Sequence, residues 1–129
     1  MEQWKEWGCR GAGFHICGDT SKLLECFTEM GIRGISIDSA VDIGYAKETI
    51  GDKLSIMGNV SPVEILEGTP ASIEQAVKEC FAKCWDNPRG FTIAPGCDIP
   101  VKAPLENIDA YMRAARQCAK YPVQPSNWE

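Results

Sequence analysis

His15 and Cys17 stand two residues apart with only Ile16 between them, and a third soft donor, Cys97, follows 80 positions after Cys17. One imidazole and two thiols form a donor set suited to Zn2+. Three protein ligands leave a tetrahedral ion one open position, the pattern of a catalytic rather than a closed structural site. On a strand, residues two apart point to the same face, so His15 and Cys17 would offer nitrogen and sulfur together while Ile16 points away. Taken alone, the His-x-Cys pair fits a packed histidine and a small buried cysteine better than a ligand pair. What decides between them is whether the fold brings Cys97 to the same place.

The elements that must do so are legible as four short apolar runs, Gly13 to Cys17, Gly34 to Asp38, Leu54 to Gly58 and Gly90 to Pro95, each suited to a buried parallel strand. Each is followed by a helical pattern. Thr20 is placed to cap a helix carrying Leu23, Leu24, Phe27 and Met30, with Gly31 as terminator; Asp19 either orients His15 or caps that helix, and capping is the favoured reading. A second helix runs from about Asp42 to Ile50 and stops at Gly51. Ser61-Pro62 opens a short helix ending at Gly68, and Thr69-Pro70 opens a longer one with Ile73, Ala76, Val77, Cys80, Phe81 and Cys84 on one face, ended by Asn87-Pro88. The last begins near Pro104, turns Ile108, Met112, Ala115 and Ala119 inward, and stops before Tyr121-Pro122. Residues 1–12 read as a lead-in, 13–122 as one α/β unit, and 123–129, without periodicity, as a loose tail.

Alternating strands and helices call for parallel strands joined by right-handed crossovers, and in such sheets chemistry gathers at the carboxyl ends of the strands. Here those ends read His15-Ile16-Cys17-Gly18-Asp19, Asp38-Ser39, Gly58-Asn59 and Pro95-Gly96-Cys97-Asp98. Asp38 and Asn59 are candidates for lining a substrate site, and equally good turn residues. A net charge of −5 and the lack of clustered Lys and Arg argue against nucleic acid or an anionic membrane as partner. Seven cysteines without an apolar leader fit free, buried or metal-bound thiols in a reducing cytoplasm. Cys80 and Cys84 share the stripe of Ile73 and Val77 and read as core; Cys26 and Cys118 read as packed, and Cys9 and the pair Trp4 and Trp7 lie in the uncertain lead-in.

His15-x-Cys17-Gly18-Asp19-Thr20, Gly58-Asn59-Val60-Ser61-Pro62, Gly68-Thr69-Pro70 and Gly96-Cys97-Asp98-Ile99-Pro100 with Ala103-Pro104-Leu105-Glu106-Asn107-Ile108 occur in this order. Over residues 13–119 the chain resembles the uroporphyrinogen decarboxylase-like family, in its methylcobamide:coenzyme M methyltransferase branch. The resemblance implies that His15, Cys17 and Cys97 ligate zinc, and that the fold is the C-terminal half of a (β/α)8 barrel. It also implies methyl transfer from a methylated corrinoid (methylcobamide) on a partner protein to a small thiol like coenzyme M, with Co(I) corrinoid leaving. Two alternatives stand beside it: a noncatalytic metal-binding fragment, and decarboxylation of a porphyrinogen, which has no use for the zinc set.

A complete barrel takes about 250 residues, and this chain holds four βα units. Four strands leave two edges unpaired, and Phe14, Ile35, Ile37, Ile56, Phe91 and Ile93 are expected to leave apolar surface on the open inner face. The expected remedy is a homodimer, or a separate chain supplying the N-terminal half.

Overall fold

The computed structural model describes residues 3, 6–8 and 11–128; Trp4 and Cys9 lie outside them. Four strands, β1 (Gly13–Ile16), β2 (Gly34–Ile37), β3 (Ser55–Val60) and β4 (Phe91–Pro95), form one parallel sheet in chain order. The register sets Gly13 opposite Gly34 and Gly34 opposite Ser55, so the strands begin level and end together at one rim. A 3-10 turn (Ser21–Leu23) and α1 (Leu24–Phe27) follow β1, and α2 (Ile43–Ile50) follows β2. Both α3 (Pro62–Glu67) and α4 (Pro70–Cys84) follow β3, and α5 (Leu105–Cys118) follows β4.

The helices start where side chains can satisfy their free N–H groups. Asp42 accepts from the Tyr45 N–H at 2.9 Å, Ser61 from Glu64, and Thr69 exchanges bonds with Ser72 in a capping box, with Pro62 and Pro70 in the first turns. After β1 Asp19, the residue before the N-cap Thr20, accepts the Ser21 N–H at 3.0 Å through its carboxylate. Thr20, expected to cap, is buried and makes no capping bond, and the helix it precedes is only one turn long, so Met30 stays exposed.

The two faces of the sheet differ from expectation. Ile35, Ile37 and Ile56 are buried beneath α1 and α2, with Phe14 packed beside them, while Ile93 joins the cluster between α4 and α5 and Phe91 bridges the two. All six residues expected to line the open face therefore point into the helical layer. The alternation of a strand turns Gly13, His15, Ser36, Met57 and Thr92 the other way, and these side chains are small or polar apart from the exposed Met57. What remains open in the half-barrel, among the described residues, is this face together with the β1 and β4 edges.

α5 is rotated from the pattern of its apolar residues. Asn107, Ala110, Tyr111, Ala114, Ala115 and Cys118 face inward, and Met112 and Ala119 face solvent. Asn107 accounts for the shift: its amide donates to the carbonyls of Ile65 and Gly68, both at 3.0 Å, closing the end of α3. A hydropathy pattern discounts a buried asparagine, but leaving those carbonyls unmet would cost about 1–3 kcal/mol each.

The tail after Val123 also departs from expectation. Pro125–Asn127 forms a 3-10 turn, the Asn127 amide donates to the carbonyls of Cys118 and Lys120, and Trp128 is 8% exposed. The Trp128 ring lies 5.6 Å from Phe81 and 5.8 Å from Trp85, covering the end of the α4–α5 core. Trp128→Ala should therefore lower unfolding free energy by about 3 kcal/mol, while Tyr121→Ala, at a residue 91% exposed, should change it by less than about 0.5 kcal/mol. Chemical denaturation of the two variants gives the comparison directly.

Candidate metal centre

β1 delivers His15 on the open face, and Cys17 is the first residue past its end. Gly18 then turns the chain with φ +85°, a conformation that side chains rarely adopt. The His15 Nδ1 lies 3.1 Å from both the carbonyl oxygen and the hydroxyl of Ser36, its register partner on β2. This holds the ring so that Nε2 lies 3.4 Å from the Cys17 Sγ.

Cys97 comes from the far edge of the sheet. β4 ends at Pro95, the Gly96 N–H donates to the Val60 carbonyl at 2.8 Å, and the backbone then lies flush on the turn after β2. A Cβ at Gly96 would collide with the Ser39 nitrogen and sit 3.0 Å from the Ser39 Cβ, so only glycine allows this approach. The Cys97 Sγ thereby reaches 3.4 Å from that of Cys17, and the three donor atoms of His15, Cys17 and Cys97 lie within 4.8 Å of one another.

This set fits Zn2+. Bonds of about 2.3 Å to sulfur and about 2.05 Å to nitrogen, at tetrahedral angles, place sulfur about 3.8 Å from sulfur and about 3.6 Å from nitrogen. The observed 3.4 Å contacts are within a few tenths of an ångström of both. Without a cation the Cys17 pKa is raised, first by its hydrogen bond with Cys97 and then by the charge Cys97 would carry, with partial desolvation, Asp38 and Asp98 adding to it.

Asp38 and Asn59 have separate roles. The Asp38 carboxylate accepts the backbone N–H groups of Gly18 and Ala40, which hold its pKa below the ordinary range in that order of importance, and it faces His15. It ties the turn carrying Cys17 to the turn after β2. Asn59 is buried, donates to the carbonyls of Asp38 at 3.0 Å and Val41 at 2.6 Å, and accepts from the Cys80 thiol. Its polar atoms are spent on the scaffold.

Two contributions could not be read from the chain. Ser36 carries no motif, and only the strand register sets it beside His15; Gly96 precedes Cys97, but its need to be glycine arises from a turn 57 positions earlier. The open face beneath the cluster is a concavity of about 550 Å³ whose lining includes His15, Ser36, Met57 and Thr92. Among the other cysteines, Cys80, Cys84 and Cys118 are buried as expected, and burial pushes the Cys84 thiol up to about 12. Cys26 is exposed rather than packed.

In metal-free protein, the raised Cys17 pKa means little thiolate at pH 8 and so slow alkylation of Cys17. Cys97→Ala removes the two largest causes and should speed Cys17 alkylation severalfold. Mass-spectrometric rates across pH 7 to 10 should show the Cys17 profile moving to lower pH in the variant; an unmoved profile would mean that the thiols are not paired.

The model of the family described as uroporphyrinogen decarboxylase (URO-D) matches residues 2–118. The chain is 34% identical over 104 residues to the methylated-thiol–coenzyme M methyltransferase of Methanosarcina mazei, covering 80% of this chain and 27% of that protein. To the methylcobamide:CoM methyltransferase MtbA of Methanosarcina acetivorans it is 36% identical over 107 residues, covering 82% and 30%. The uroporphyrinogen decarboxylase of Pseudoalteromonas atlantica is 33% identical over 101 residues, covering 78% and 27%. A solved methyltransferase structure from Methanosarcina mazei superposes with a TM-score of 0.70 at 32% identity, covering 80% of this chain and 30% of that one. The chain thus spans about 30% of the length of such relatives, as a partial (β/α)8 barrel. With its ordered motifs, its parallel βα units and a match over nearly its whole length, the chain belongs to the uroporphyrinogen decarboxylase (URO-D) family.

Proposed function

We propose that this chain is the metal-holding part of a methyltransferase that moves a methyl group from a methylated corrinoid, carried by a partner protein, to a small thiol of the coenzyme M type. The observation that carries the reading is the convergence of His15, Cys17 and Cys97 to within 4.8 Å from opposite edges of the sheet. Relatives named for porphyrinogen decarboxylation and relatives named for methyl transfer both match, and the nitrogen and sulfur cluster favours the second, because decarboxylation has no use for it. His15, Cys17 and Cys97 would hold Zn2+, which would supply the acidity that lets a small thiol exist as a nucleophilic thiolate near neutral pH.

The chain's own residues divide the work. His15, Cys17 and Cys97 hold the ion, and Asp38 lines the approach to it while fixing the Cys17 turn. Asn59, read from the sequence as a possible substrate contact, serves by locking that turn. No helix among the described residues is long and apolar enough to cross a membrane, and the six described cysteines are free thiols, which suits a reducing cytoplasm.

Protein purified without a metal-affinity tag should carry about one zinc per site, and substituting His15, Cys17 and Cys97 together should abolish it. Full zinc in that triple variant, with loss in Cys80→Ala with Cys84→Ala, would place the metal elsewhere. Zinc-edge X-ray absorption on protein containing the complementary half should gain one sulfur neighbour when the acceptor thiol is added. A panel of thiols that leaves the shell unchanged would refute the thiol-transfer reading and leave a metal-binding fragment.

Completion of the barrel is part of the same proposal. Among the described residues β1 and β4 each have one unpaired edge, and a second copy of the chain can pair with both; a separate N-terminal half is the other way to close them. Sedimentation over a dilution series should show a dimer that dissociates with falling concentration. A cooperative monomer at every concentration would mean that the polar open face and the two edges tolerate water.

A further inference from the structure

We propose that Ser36 is a positioning residue that holds His15 in the tautomer bearing its proton on Nδ1, so that the Nε2 lone pair is aimed at the place where Cys17 and Cys97 meet. The inference rests on the metal reading above for its purpose, and on two contacts for its geometry. The His15 Nδ1 is 3.1 Å from the Ser36 carbonyl oxygen and 3.1 Å from its hydroxyl. A carbonyl oxygen can only accept, so a neutral ring at that distance must have its hydrogen on Nδ1; the hydroxyl, which can donate or accept, adapts to whatever the carbonyl dictates. Nε2 is then an acceptor, and the Cys17 Sγ, 3.4 Å away, is placed to donate to it.

The register makes this contact durable. His15 and Ser36 are paired across β1 and β2, both on the open face, so the ring lies over its partner's backbone, and the carbonyl is present whatever the side chain. What serine adds is a second polar contact on the same ring nitrogen, restricting ring rotation about the Cβ–Cγ bond. A metal-ligating imidazole whose outer nitrogen is fixed in this manner loses about 10–100-fold in metal affinity when the outer partner is removed. Because the carbonyl would persist in a Ser36 variant, the expected loss is near the lower end of that range.

The chain has a single histidine, so its ring nitrogens give one unambiguous set of NMR signals. Long-range proton–nitrogen correlation on metal-free protein above pH 8 should show Nδ1 protonated and Nε2 bare. Ser36→Ala should broaden or shift the ring signals and weaken zinc binding about 10-fold in chelator competition, with the unfolding midpoint little changed. Ser36→Thr, which keeps the hydroxyl on a residue suited to strands, should restore both. Protonation on Nε2 in the wild type, or Ser36→Ala with wild-type zinc affinity and ring signals, would overturn the proposal. A wild-type chain that binds no zinc yet shows the Nδ1 tautomer would instead refute the metal reading and leave the Ser36 contact standing.

Discussion

The turn after β2 is the contact on which the site depends. Its Asp38 carboxylate takes N–H groups from Gly18 and Ala40, its backbone carbonyls at Asp38 and Val41 are held by the Asn59 amide, and Gly96 lies directly against its Ser39. Three loops from three strands thus share one small patch of backbone. Cys17 and Cys97 come from opposite edges of a four-stranded sheet, and a flat sheet would hold them several strand spacings apart. Curvature brings the edges toward each other, and this patch sets how near the loops come.

The rest of the molecule is arranged so that the patch can persist. Isoleucines on β2 and β3 anchor the sheet to α1 and α2, while α4 and α5 form a second apolar cluster capped by Trp128. Buried asparagines mark the junctions. Asn59 serves the β2 turn, Asn87 donates to the carbonyls of Leu54 and Gly90 before β4, and Asn107 closes α3. Each satisfies main-chain carbonyls that burial has cut off from water, so each is costly to replace with an apolar residue of similar size. Gly58, with φ +145°, brings β3 against the Ile37 carbonyl, where a Cβ would sit at 3.0 Å.

Electrostatics at the rim are one-sided. Asp38 and Asp98 act on Cys17 in the same direction as Cys97 does, and no described lysine or arginine is among the influences on that thiol. Such surroundings disfavour a thiolate at Cys17. The thiols elsewhere differ in kind. Cys80 and Cys84 have raised pKa values because burial withholds water from them, and they lie among apolar side chains of α4.

Local chemistry in the chain was enough to establish the order of elements, their parallel connection, most helix starts, and the three donors, because strand runs, Pro and Ser or Thr caps, and a His-x-Cys alternation act within a few residues. The family likeness of the ordered motifs added the expectation that the donors belong together. Tertiary structure alone decided which face of the sheet is polar, since alternation states that two faces differ but not which one the helices will cover. It also decided the rotation of α5 and the seating of Trp128, because Asn107 and an aperiodic tail derive their value from partners far along the chain. Ser36 beside His15 and Gly96 against Ser39 are of the same kind: their significance comes from contacts between strands, and no short-range pattern carries that information.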